Sequence, residues 1–312
     1  MKNILSIKAV MVCSALLVGF WANDVQAAKK GSFERTLSVD EAILLDVSTG
    51  SGSITISNGK SGTVEIVGHI KVGSGFFKRS AEEVDELIAH FEANPPVELE
   101  NGRLKVGHIK DRAYRKNVSI SYEILVPADT KVISDSGSGS QKISGVAEVV
   151  KADTGSGTIT LTDINGPVKA DTGSGGIKAE RIAGGFDADT GSGSVSLTQV
   201  APGDVKVSTG SGSINLQGVV GALRADAGSG RVVIQGSQAG NWDIDTGSGS
   251  IKIDLPDDAA FQLDAKSNSG GITVDHPVTV QGKISKRHLR GEVRGGGDVL
   301  KLDTGSGSIE VM

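Results

Sequence analysis

Seven aspartates recur at a spacing that could support chemistry. Asp135, Asp153, Asp171, Asp189, Asp226, Asp245 and Asp303 each stand two residues before the first glycine of a Gly-Ser-Gly turn. A row of carboxylates would suit a hard cation such as calcium, which is held entirely by oxygen ligands. The calcium-binding repeat phrase, however, has a period of about nine residues with its acidic residue after the glycines. Here Lys151, Lys169, Lys206, Arg224 and Lys301 also lie two residues before the Asp position, on the same strand face. The alternative is an aspartate that caps its own turn and is partly neutralised by these cations. The weight falls on that second reading, so no metal and no cofactor is assigned.

Two other groups could make contacts. Thr158, Thr160, Ser194, Ser196, Ser213 and Ser250 would offer hydroxyls to a glycan or to ice, but Gly176, Lys178, Asn215, Arg231, Val233 and Lys252 interrupt the array. Solvated sheet surface is the default for them. The segment from Lys283 to Arg294 contains Lys286, Arg287, His288, Arg290 and Arg294. It could hold an anionic envelope polymer, or be a solvated loop with excess charge. A binding surface, if present, would draw on Asp153, Asp171, Asp189, Lys286, Arg287, Arg290 and Arg294. Catalysis finds little support. His69, His90, His108, His276 and His288 are scattered, and there is no metal-ligand spacing or nucleophile elbow. Gly295-Gly296-Gly297 is followed by no Lys-Ser/Thr, so it is not a phosphate loop.

The element that must position these residues is a repeat. Asp-Thr-Gly-Ser-Gly returns from Asp153 to Gly249 with its first glycines at Gly155, Gly173, Gly191, Gly210, Gly228 and Gly247. The period is therefore 18 or 19 residues. Such a period marks a stacked architecture in which each unit buries its apolar face only against its neighbours. Apolar residues stand three and five before the first glycine and four and six after it, as in Val150, Ala152, Ile159 and Leu161. Each rung is thus two short strands of period 2 around a Gly-Ser-Gly corner, with a return through Ile164, Ile182, Val200 or Val219. Glycine at the corner is expected to supply backbone angles that a Cβ would penalise. The threonines of the phrase should form a hydroxyl ladder along the stack. Ten recognisable or degenerate rungs would make a rod of about 45 Å.

The remainder falls into place around that array. Lys2 and Lys8, the apolar run Ala9–Trp21 and Val25-Gln26-Ala27 read as a secretory signal peptide over residues 1–27. The one cysteine, Cys13, lies within it, and Val12 before it argues against a lipid anchor. Without Lys2, Lys8 and Asp24 the chain carries 30 Lys+Arg against 36 Asp+Glu, a net charge of −6. That mild acidity argues against nucleic-acid binding. No second apolar run has membrane length, so the mature product is expected to be soluble and exported. Residues 28–131 form an N-terminal β region that begins with a diverged copy, Ser48-Thr-Gly-Ser-Gly52. A helix interrupts it at about 81–93, opened by the capping box Ser80-Ala-Glu-Glu83, with Val84, Leu87, Ile88 and Phe91 on one face. It is expected to be a lid over the core. Residues 132–312 are the regular array. Lys266-Ser-Asn-Ser-Gly270 is a substituted copy, with Asn268 expected to tolerate left-handed geometry. Asp303-Thr-Gly-Ser-Gly307 would leave the last rung either as an edge or covered by an earlier loop.

The Asp-Thr-Gly-Ser-Gly-x-Ile phrase resembles the bacterial "putative adhesin" family of exported β-strand-repeat proteins. So do Val118-Ser-Ile-Ser-Tyr-Glu-Ile-Leu-Val-Pro127 and Leu289-Arg-Gly-Glu-Val-Arg-Gly-Gly-Gly297. The resemblance covers about Phe33 to Met312. It implies an all-β, right-handed parallel β-solenoid (a single-stranded β-helix) exported to the envelope, and it brings no catalytic residues. The resulting expectation is a non-catalytic surface-contact protein, periplasmic, cell-surface or secreted. It would bind an envelope or extracellular polymer in the manner of an adhesin. The alternative is a periplasmic assembly scaffold that takes an envelope protein along its open end strands.

Overall fold

A computed structural model describes residues 29–73, 80–111, 114, 118–280 and 285–312. The signal-peptide expectation and Lys283 lie outside these residues. The described chain is mostly β, with one α-helix, and all its strands belong to one open sheet.

In chain order the N-terminal part contributes β1 (Lys29–Ser38), β2 (Leu44–Thr49), β3 (Ile54–Asn58), β4 (Thr63–Val72), α1 (Ala81–Ala93), β5 (Val97–Glu100), β6 (Arg103–Val106) and β7 (Val118–Val126). The array then runs β8 (Lys131–Ser136), β9 (Gln141–Ser144), β10 (Val150–Thr154), β11 (Ile159–Ile164), β12 (Val168–Thr172), β13 (Ile177–Ile182), β14 (Phe186–Thr190), β15 (Val195–Gln199) and β16 (Val205–Thr209). It continues as β17 (Ile214–Ala227), β18 (Val232–Thr246), β19 (Ile251–Asp254), β20 (Phe261–Ser267), β21 (Ile272–Val274), β22 (Val278–Thr279), β23 (His288–Val293), β24 (Asp298–Thr304) and β25 (Ile309–Val311).

Each rung places one strand before the Gly-Ser-Gly corner, on a first flank, and one after it, on a second. Rungs pair in parallel at the repeat offset: Val150 with Val168, Phe186 with Val205, Ile159 with Ile177. The period-2 pattern then fixes which side chains go in. Val150, Ala152, Ile159, Leu161 and their equivalents are buried, while the Lys and Asp between them face outward. None of these short strands could stand alone; the stack buries them.

The corner glycines have a different cause from the one expected. None of the Asp-Thr-Gly-Ser-Gly glycines has a positive φ. They are needed because the rungs approach each other closely there. A Cβ on Gly157 would lie 2.0 Å from the Gly139 carbonyl oxygen, and one on Gly175 would lie 1.8 Å from that of Gly157. Asn268 likewise is not left-handed. Left-handed residues sit instead at the second bend: Gly145, Asp163, Arg181 and Gly218. The residue after each, Val146, Ile164, Ile182 or Val219, turns inward.

The rung of β15 has no left-handed residue at that point, and the expected inward Val200 is 59% exposed. Gln199 takes the inward place opposite Ile182, across a register shift. Its Nε2 donates to the carbonyls of Gly184 and Gly203, and its Oε1 accepts from Val220 N–H, so the buried amide is hydrogen-bonded.

Chain order and spatial order part company at both ends. On the first flank β2 stacks on β8, and β6 and then β5 lie beyond β2. On the second flank β3 is followed by β7, β4 and β1, the last two antiparallel. Helix α1 has the expected capping box, with Glu83 N–H donating to Ser80 Oγ and Ser80 N–H to Glu83. It lays Leu87, Ile88 and Phe91 inward; Ile88 and Glu92 close over Gly31 of β1, consistent with a lid. At the other end β24 lies between β18 and β20, and β25 between β19 and β21. The last Asp-Thr-Gly-Ser-Gly copy is therefore interior. The outer rung is the substituted Lys266 copy, and β23 closes it antiparallel to β20.

Candidate functional site

The aspartate row exists, interrupted at Ser208. In-register pairing lines up Ser48, Asp135, Asp153, Asp171, Asp189, Ser208, Asp226, Asp245, Asp303 and Lys266 on the first flank. Neighbouring carboxylates stand about one strand spacing apart, ~4.8 Å. Asp153, Asp171 and Asp189 are thus consecutive members. Among the described residues no group of three or more His, Cys, Asp or Glu side chains is arranged to hold a metal ion.

These carboxylates do not cap their turns. The following hydroxyl does: Thr154 Oγ1 accepts from Gly157 N–H at 3.2 Å and donates to the Gly139 carbonyl of the preceding rung at 3.1 Å. Thr172, Thr190, Thr209, Thr246, Ser267 and Thr304 make the same donation to the rung beneath them. The expected ladder is present, and it belongs to the scaffold. Only Ala227, in the copy Asp226-Ala-Gly-Ser-Gly230, interrupts it between Thr209 and Thr246. Ala227→Thr should restore the missing rung and stabilise the protein by about 1 kcal/mol. A urea midpoint that falls or stays fixed would contradict this.

Cations partly neutralise the row. Arg224 reaches Asp226 at 2.8 Å, while Lys169 reaches Asp171 and Lys266 reaches Asp303 at the longer distance of 3.8 Å. Partial burial raises the Asp171 carboxyl above its ordinary range, and the charges of Asp153, Asp187 and Asp189 add to this. Burial followed by the repulsion of Asp303, Asp226 and Asp243 does the same to Asp245. A folded-state pKa raised in this way means that the native protein holds its proton more firmly than the unfolded chain. Stability therefore falls as pH rises from the unfolded value through the folded one, and stays lower at neutral pH. Asp245→Asn should raise Tm at pH 7 and leave it unchanged at pH 3; the same gain at both values would exclude the partly buried charge, and the repulsion it meets, as the cause.

Among the described residues, the basic segment is part exposed turn and part strand rather than a solvated loop throughout. His288 and Arg290 lie in β23 and converge on Asp264 of β20, at 2.9 Å from Nε2 and 3.0 Å from Nε. Arg294 donates to the Asp257 carbonyl. Lys286 and Arg287 remain exposed on the turn before β23. Along the row His288 stands beyond Lys266, six strand spacings from Asp189, or about 29 Å. The acidic and basic candidates therefore form no common site.

The opposite end carries the same arrangement, which the sequence reading missed. Asp46 of β2 accepts from Arg103 Nε at 3.0 Å and pairs with His108 at 3.0 Å. Burial pushes the Asp46 carboxyl up, but Arg103 and His108 overcome it and hold the group below its usual range. Asp264 shows the same balance with Arg290 and His288. Both terminal rungs thus anchor a capping segment through an Asp–Arg–His cluster. The remaining histidines also have scaffold contacts: His69 with Glu123, His90 stacked on Tyr114, and His276 edge-on to Phe261.

On the second flank the outward positions are chiefly hydroxyls and amides. Thr160, Lys178, Ser196 and Asn215 follow one another in register, flanked by Thr162, Glu180, Thr198 and Gln217. Lys178 and Glu180 neutralise each other at 2.7 Å. The result is a polar strip with little net charge, beside a first flank dominated by ionised columns.

A rung stack with capped ends and repeated outward columns defines a class of β-repeat proteins. This chain belongs to the Toastrack DUF4097 family, whose profile matches residues 97–312. No curated protein matches it. Three crystal structures are similar over most of their length. A "putative cell adhesion protein" from Clostridium sporogenes ATCC 15579 shares 12% identity over 91% of this chain and 99% of its own, with a TM-score of 0.20. A "putative adhesin" from Bacteroides fragilis NCTC 9343 shares 13% over 91% and 99%, with a TM-score of 0.36. A "putative lipid binding protein" from Parabacteroides distasonis ATCC 8503 shares 15% over 90% and 97%, with a TM-score of 0.34. Superpositions this loose carry no argument about function. No helix among the described residues is long and apolar enough to cross a membrane.

Proposed function

We propose that the chain is an exported, right-handed β-solenoid that works by surface contact of the adhesin type rather than by catalysis. Its ligand is an extended, hydroxyl-rich polysaccharide lying along the stack on the second flank. The supporting observation is the in-register strip around Thr160, Ser196 and Asn215. Ser196 with Asn215 and Thr198 with Gln217 offer donors and acceptors one strand spacing apart, a pitch close to the length of one sugar in an extended chain, and Thr160 and Thr162 continue them beyond the self-neutralised Lys178–Glu180 pair. On the first flank Lys169 with Asp171, Arg224 with Asp226 and Lys301 with Asp243 engage each other, and the Asp153–Asp189 row serves solubility. Lys286 and Arg287 add an electrostatic contribution for anionic polymers. The scaffold alternative has less surface to work with, because β5, β6 and β23 cover the terminal rungs of the first flank.

The test is co-sedimentation of the protein with insoluble neutral and anionic envelope polysaccharides at low and high salt. Saturable binding to a neutral polymer that survives high salt is the expected result. Binding confined to anionic polymers and lost at high salt would move the contact to Lys286 and Arg287. No polymer binding, with one envelope protein recovered instead, would favour the scaffold.

A further inference from the structure

We propose that residues 298–312 form an exchangeable rung, which a second copy of this chain can supply. The case rests on topology and does not depend on the polysaccharide reading. From β10 and β11 through β18 and β19 each rung stacks on the one that precedes it in sequence. The rung of β24 and β25 instead enters between two rungs that are both earlier. Leu300 lies between Trp242 and Leu263, and Ile309 between Ile251 and Ile272. The place it fills is defined by those neighbours alone, with parallel edges on both sides and an apolar floor matched by Leu300, Leu302, Ile309 and Val311, all buried.

The hinge has the properties that favour exchange. Arg294, Gly295 and Gly296 are consecutive left-handed residues, with φ of 49°, 85° and 84°. Together with Gly297 they carry the chain from β23, on one side of β20, to β24 on the other, a span of about two strand spacings or ~9.6 Å. Gly297 passes so close to Ala260 that a Cβ there would lie 2.5 Å from its carbonyl oxygen. Short hinges of this kind invite domain swapping, in which the same contacts form between copies and the hinge no longer has to cross at Ala260. Exchange would place two polar strips on one particle.

Lys301 and Asp243 are in-register neighbours on adjacent strands, with an ion pair of 3.0 Å at exposed positions. Their Cα separation, ~4.8 Å, suits a disulfide. The Asp243→Cys/Lys301→Cys pair, in a full chain also carrying Cys13→Ser, should be unfolded, refolded at low and high protein concentration, and oxidised. The expected result is an intramolecular bond at low concentration and a covalent dimer linking residues 243 and 301 of different chains at high concentration. A second variant lacks Arg294, Gly295 and Gly296; the one residue left lets the chain span about 7 Å at most, short of the ~9.6 Å from β23 to β24. It should sediment as a dimer at every concentration tested. Intramolecular bonds alone at all concentrations, or a folded monomer for the deletion variant, would overturn the proposal. If the deletion variant does not fold, the cysteine pair decides.

Discussion

Gly193→Ala should remove a large part of the stability of this protein, whereas Gly50→Ala should cost almost nothing. Both glycines belong to Gly-Ser-Gly corners and neither has a positive φ, so backbone entropy alone predicts similar effects. The surroundings separate them. A Cβ on Gly193 would sit 1.9 Å from the oxygen and 2.4 Å from the carbon of the Gly175 carbonyl. Those atoms are backbone of the preceding rung, and the same carbonyl accepts the Thr190 hydroxyl at 2.8 Å. Relief would require moving two rungs apart and breaking the ladder on both. Overpacking against a fixed backbone of this kind should cost about 3 kcal/mol or more, out of a typical total of about 5–15. A Cβ on Gly50, on the first rung, meets nothing within 4 Å. Urea unfolding followed by far-UV circular dichroism measures both, and equal midpoints for the two variants would show that close approach is not why the corner is glycine.

The second large effect lies at Trp242. It occupies the inward column that holds Val205, Leu223 and Leu300 in neighbouring rungs, and it is fully buried. Its indole N–H donates to the Gly221 carbonyl at 2.9 Å, so the one polar atom of the side chain is paired. Trp242→Ala should cost about 3–5 kcal/mol through the cavity it opens. Trp242→Phe keeps most of the apolar volume but leaves the Gly221 carbonyl without this donor, and should cost about 1–3 kcal/mol. Chemical denaturation of the pair separates packing from hydrogen bonding. An alanine variant no weaker than the phenylalanine variant would contradict the packing account.

Much of the scaffold was readable because its rules are local. Period-2 alternation around each corner gave the inward and outward columns. The capping box and the apolar face gave α1, and the hydroxyl of the repeated phrase gave the ladder. What escaped was set by contacts between rungs. Nothing local distinguishes a glycine needed for its φ from one needed for closeness to the next rung, so the reason for glycine at the corner is not legible in sequence. Val200 looks like Ile182 until the missing left-handed residue shifts Gln199 inward. The placement of β24 inside the stack depends on pairing with a rung about forty residues earlier (Leu263 against Leu300), against the order of the repeats. The Asp46 cluster joins residues 57 and 62 positions apart, and so leaves no spacing to recognise. At the candidate site, the residues of the Asp row were identified in sequence, but their role as turn caps belongs to threonine. Arg290 has the sequence surroundings of a loop cation and is bound to Asp264 from within a strand.

The two acid-sensitive features pull in opposite directions. Asp46 and Asp264 have depressed pKa values, so the stability they provide is present above the unfolded carboxylate range and is lost as pH falls through their folded values. At Asp171 and Asp245 protonation relieves the cost of burying a charge, and then the repulsion of neighbouring carboxylates, over a higher range. Mild acid therefore eases the middle of the stack before stronger acid loosens its ends.

The most direct test of the contact surface compares two charge variants for affinity to the neutral polysaccharide that the wild-type protein binds. Ser196→Glu/Asn215→Glu places two carboxylates in the centre of the polar strip, and Lys206→Glu/Arg224→Glu makes a larger charge change on the opposite flank. With both folded by circular dichroism, the second flank as the binding surface requires at least a tenfold loss of affinity for the first variant and little change for the second. Equal affinities, or a loss confined to Lys206→Glu/Arg224→Glu, would contradict it.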